Sequence, residues 1–204
     1  MTSPRQVPGF ISADVAPSES RSRAGGLSVR RLGMRLFLTS ISILFAAALL
    51  GVLVVRLRAA AWPPSGTPSL PRSLWVSSGI LVVLSVLLMG AGRAARRGRV
   101  ADTGRRLAAA LALGVAFLLS QTAGWLRMLE EGLAPRHSLF AFAFYLLTAL
   151  HALHVAGGLV PLGLVTVRSG RGRYLGDPEP VELVASYWHF LALSWLGIFL
   201  MLEL

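Results

Sequence analysis

Three histidines, His151, His154 and His189, lie inside long apolar stretches of this 204-residue chain. They are the only side chains there that titrate near neutral pH. His151 and His154 are spaced i,i+3, so on a helix they project from one face. Two imidazoles so placed can ligate a metal, with His189 as a third ligand in the manner of three-histidine sites. Depth opposes this, because helical rise leaves His154 and His189 roughly 6 to 11 Å apart in height. The same mismatch spoils a haem held between them. The favoured reading is hydrogen bonding between helices, with a membrane haem or copper redox protein using His151, His154 and His189 as the alternative. The third histidine stands in the string Tyr187-Trp188-His189-Phe190, followed by Trp195 and Phe199. Tyr187 and His189 need hydrogen-bond partners in hydrocarbon.

These residues must be positioned by membrane helices. Apolar residues make up 54% of the chain and charged residues 14%, with a mean hydropathy of +0.66; soluble domains carry about 25% charged residues. Five apolar runs, residues 36–55, 74–92, 107–126, 138–167 and 183–202, each reach the ~20 residues that span a bilayer as a helix, and lipid leaves backbone groups no other partner. The expected fold is an all-α bundle of five transmembrane helices over residues 36–204. The fourth run is long enough to tilt, kink or protrude, with Gly157, Gly158 and Pro161 as the means. Residues 1–35, rich in Ser, Pro, Gly and Arg, read as a disordered tail. Arg30-Arg31 faintly resembles a twin-arginine signal, but the run behind it has the length of a span rather than of a cleaved leader.

All 20 basic residues are arginine, against 9 acids, for a net charge of +11. Nucleic acid is not expected as a partner, since the arginines lie between apolar runs and not among aromatics on one face. Fifteen fall in the tail, the second loop (Arg93 to Arg106) and the fourth loop, whereas Arg56, Arg58, Arg72, Arg127 and Arg136 fall on the opposite side. The positive-inside bias puts the N-terminus in the cytoplasm and the C-terminus outside. Trp62, Trp75 and Trp125 then sit near the outer interface. The second loop also suits anionic lipid headgroups, although fixing topology is the simpler reading of its arginines. No Asp, Glu, Lys or Arg lies within the runs, which disfavours pumps and charged-substrate transporters. The lack of cysteine excludes thiolate chemistry.

The run from Thr148 through His151, His154 and Val155 to Gly158 resembles the T-G-x-H-G-x-H-V-x-x-G string of subunit III of haem-copper (cytochrome c) oxidases. Tyr187-Trp188-His189-Phe190 with Trp195 is similar to that family's Y-W-H-F-V-D-x-x-W. Leu74-Trp75-Val76-Ser77-Ser78, and Gly114-Val115-Ala116-Phe117 with Gln121, match more loosely. The resemblance covers residues 34 to 204 and implies the short, five-span bacterial form. It implies an accessory subunit of aerobic respiration in the plasma membrane of a bacterium. Such a subunit has no cofactor of its own; haem and copper reside in partner subunits I and II, and it holds lipids and supports assembly, oxygen access, proton uptake and durability. Thr148, His151, His154, Tyr187, Trp188, His189 and Trp195 become the expected structural or interface motif, with no catalytic, cofactor or metal residue. Two acids of the family pattern are replaced, by Ile41 and Ala192, and two glycines of its histidine motif by Ala149 and Ala152. Without those acids the support of proton uptake loses its residues, while the scaffold and lipid roles stand.

Overall fold

A computed structural model describes residues 29–67, 72–171 and 177–203. They form five helices: α1 (Val29–Arg58), α2 (Ser73–Arg96), α3 (Val100–Glu130), α4 (Leu139–Gly170) and α5 (Glu179–Glu203). All five are long and apolar enough to cross a membrane. Each extends beyond its apolar run into charged flanks, since a helix can leave the hydrocarbon without losing its internal hydrogen bonds. For the same reason α1 begins at Val29, so residues 29–35 of the expected tail are helical; residues 1–28 lie outside the described residues.

Local chemistry sets the turns. Residues 97–99 join α2 to α3, and Gly98, at φ +68°, lets the chain reverse there. The α3 terminus closes at Gly132, φ +82°, with the Leu133 amide donating to the Met128 carbonyl at 2.8 Å, a Schellman-type bond that satisfies a terminal carbonyl. Ser138 caps α4, its hydroxyl accepting from the Ala141 amide at 3.0 Å. α4 continues unbroken through Pro161 for 32 residues, about 48 Å at the helical rise. The long fourth run is accommodated by length.

α2, α3, α4 and α5 form a closed ring in which each touches its two neighbours, and α1 lies outside against α5 and α4. The ring interior is filled by Leu81, Leu84 and Leu88 of α2, Leu107 and Phe117 of α3, Phe144 and Leu147 of α4, and Trp188 and Trp195 of α5. α1 buries only Ile41, Phe45 and Val52. Phe45 enters deepest, with its ring against His151, His154 and Phe190.

Candidate functional site

Both sequence motifs come together where α4 meets α5. The two helices approach closely because Gly158 has no side chain: a Cβ there would lie 2.5 Å from Tyr187 Cε1 and 3.5 Å from Trp188 Cε2. Gly114 of α3 does the same on the other side of the indole, where a Cβ would meet Trp188 at 2.9 Å. Trp188, fully buried, is thus seated between the backbones of two neighbouring helices. In lipid, such dispersion contacts do the work that water exclusion does in a soluble core.

Four motif side chains each bond to another helix. The Tyr187 hydroxyl donates to the His154 backbone carbonyl at 2.8 Å, tying α5 to α4. Trp195 Nε1 donates to Ser78 Oγ at 2.9 Å, and His189 Nδ1 lies 3.3 Å from Ser85 Oγ, both tying α5 to α2. Thr148 Oγ1 accepts from Trp125 Nε1 at 3.0 Å, tying α4 to α3, and donates to the Phe144 carbonyl.

The histidines do not act as one group. His154 Nδ1 is 2.7 Å from the Leu150 carbonyl of its own helix; a carbonyl only accepts, so this nitrogen carries the proton. His151 is fully buried among Phe45, Phe117 and Trp195, with ring centroids 5.1 to 6.1 Å away, and among the described residues neither of its nitrogens has a hydrogen-bond partner. Of His151, His154, Tyr187 and His189, expected to hold α4 and α5 together or against a partner subunit, Tyr187 bonds α5 to α4 within the chain. A backbone carbonyl is the acceptor there, His189 turns to α2, and aromatic rings enclose His151. Among the described residues no set of three His, Asp or Glu side chains is placed to hold a metal ion.

Ile41 is buried on α1 and Ala192 half-buried on α5, so both positions that replace the family acids contribute apolar packing. Trp62 packs edge-on against Phe140 and Trp75 against Phe199, so these tryptophans also pack against other aromatic rings. Sequence reasoning missed the hydroxyl partners Ser78 and Ser85 and the wedge Phe45. Serines bonding back to their own helix are common in membrane spans, and only the neighbouring helix shows which ones accept from outside.

A sequence model of the family described as cytochrome c oxidase subunit III matches residues 23–204. The chain belongs to that family. A cytochrome c oxidase subunit 3 of Synechocystis sp. is 33% identical over 197 residues, which span 95% of this chain and 83% of the relative. A probable cytochrome c oxidase subunit 3 of Nocardia farcinica is 28% identical over 201 residues, covering 98% of this chain and 97% of its own length. A third relative, from Thermostichus vulcanus, is 30% identical over 175 residues, 85% of this chain and 86% of the relative. This subunit III is therefore a multi-pass helical membrane protein with the accessory role of its family.

Proposed function

We propose that the chain packs against subunits I and II of a haem-copper terminal oxidase in a bacterial plasma membrane, with its N-terminus in the cytoplasm. In this reading subunits I and II hold the haem and copper. The chain supplies a rigid, lipid-retaining scaffold that favours assembly and prolongs the working life of the catalytic subunit. One observation carries the reading: four of the polar motif side chains, Thr148, Tyr187, His189 and Trp195, are each engaged with a neighbouring helix. Residues committed to such contacts hold a shape, and the chemistry then belongs to the partners. The arginine asymmetry supports the orientation.

Mild detergent extraction of the tagged chain tests this. Proteins carrying haem and copper are expected to co-purify, and stripping the chain away should leave the initial oxygen-reduction rate but shorten its duration. A chain that purifies alone with stoichiometric haem or copper, lost on His189→Ala, would overturn the proposal in favour of a redox protein.

A further inference from the structure

Pro161 stands inside α4 and has no N–H to donate. The carbonyl of Gly157, one turn back, therefore lacks its helical partner. A freed carbonyl at membrane depth is normally satisfied by a neighbouring helix, a hydroxyl side chain or an ordered water. Within the chain nothing takes that part: the Tyr187 hydroxyl reaches this stretch of α4 but donates to the His154 carbonyl, and among the described residues no side chain donates to Gly157.

The acceptor opens outward. Gly157 and Pro161 are both exposed, while α1, α3 and α5 pack against other faces of α4. Leu153, Ala156, Gly157 and Val160, at i, i+3, i+4 and i+7, are all exposed and outline the four-residue hole that receives one side chain of a facing helix. Leu153 and Val160, 69% and 64% exposed, form its rim. Its floor is Ala156 and Gly157, and nothing lies within 4 Å of where a Cβ of Gly157 would sit. An acyl chain would fill this hole but carries no donor. Water and lipid headgroups are remote, since Arg168, the next charged residue of α4, lies about 16 Å further along the axis. The occupant that satisfies the carbonyl is a protein side chain with a donor, and the small floor lets the helix that bears it come close.

We propose that this hole receives a serine or threonine from a transmembrane helix of another oxidase subunit, its hydroxyl donating to the Gly157 carbonyl. Pro161 creates the acceptor and Gly157 leaves it uncovered. The proposal rests on the subunit reading above and adds the face by which the chain docks, the outer face of α4 around Gly157.

A photoreactive benzoylphenylalanine replacing Val160 in the full chain, illuminated in native membranes, should join it to an oxidase subunit identified by mass spectrometry. Two variants then test the contact in the purified complex, through the rate at which the chain leaves it in detergent. Pro161→Ala returns an N–H to the Gly157 carbonyl and should speed the loss about threefold, the factor for one average intramembrane hydrogen bond. Gly157→Leu fills the hole and should speed it about fivefold or more. Neither should lower the thermal midpoint of the isolated chain, since both positions face outward. Leu193→Ala, at an exposed position of α5, should leave the rate unchanged. A cross-link from position 160 to a second copy of this chain or to a protein outside the oxidase, an unchanged rate in either variant, or equal acceleration by Leu193→Ala would each overturn the assignment. Haem proteins that co-purify without a cross-link from position 160 would overturn this docking face and leave the subunit reading standing, whereas their absence would overturn both.

Discussion

At the residue scale, two adjacent glycines of the histidine motif differ completely in what surrounds them. Gly157 has nothing within 4 Å of where a Cβ would sit, whereas Gly158 faces Tyr187 and Trp188. Gly158→Ala must displace the Tyr187 ring, because the fully buried indole beside it has nowhere to go. That overpacking costs about 1–3 kcal/mol, and the strained tyrosine gives up its bond to His154 as well, worth ~0.6 kcal/mol on average for intramembrane bonds. Gly157→Ala adds a methyl in open space and improves helix propensity by up to ~1 kcal/mol. Thermal unfolding in detergent should therefore show a lowered midpoint for Gly158→Ala and an unchanged or raised one for Gly157→Ala; equal losses would mean that the close approach of α4 and α5 does not limit stability. His151 shows the limit of reading residues singly. Its type and spacing suggest a ligand, yet its neighbours are aromatic rings that offer no acceptor.

At the scale of elements, α1 is attached differently from the other four helices. Arg31 meets Glu179 and Glu182 at one end, Arg56 donates to the Met201 carbonyl at the other, and Phe45 inserts between them. Exposed ion pairs contribute at most ~1 kcal/mol, whereas emptying a site filled by a phenyl ring costs about 3 kcal/mol or more. Phe45 is thus the anchor, and the charges choose which face and register it docks in. Hydrogen exchange should report faster exchange along α1 in Phe45→Ala with α2 to α5 little changed, and almost no change in Glu182→Gln. Uniform acceleration through all five helices in Phe45→Ala would show instead that α1 unfolds only together with the ring of four.

For the molecule as a whole, the arginine asymmetry predicts sidedness. Among the described residues, Arg30, Arg31, Arg96, Arg99 and Arg105 lie with Asp102, Asp177, Glu179 and Glu182 at one end of the bundle, paired as acid with base. A reporter fused after Leu204 should be active only on the outer side of the membrane. Activity in the cytoplasm would contradict the orientation, since five helices are an odd number and put the two termini on opposite faces.

The amino-acid sequence determined the number of helices, because an apolar run of span length in lipid has only one way to satisfy its backbone. It also determined the family, through two strings long enough to be specific. Helix ends were less legible: the backbone continues past the hydrocarbon wherever no glycine or cap stops it, as at Val29. What only tertiary structure decided is which polar atoms meet. His189 and Tyr187 lie two residues apart on one helix, about 200° around its axis, so one reaches Ser85 on α2 and the other the His154 carbonyl on α4. The order of helices around the ring is absent from any local pattern, and it alone settles whether a buried histidine faces an acceptor or a ring of aromatics.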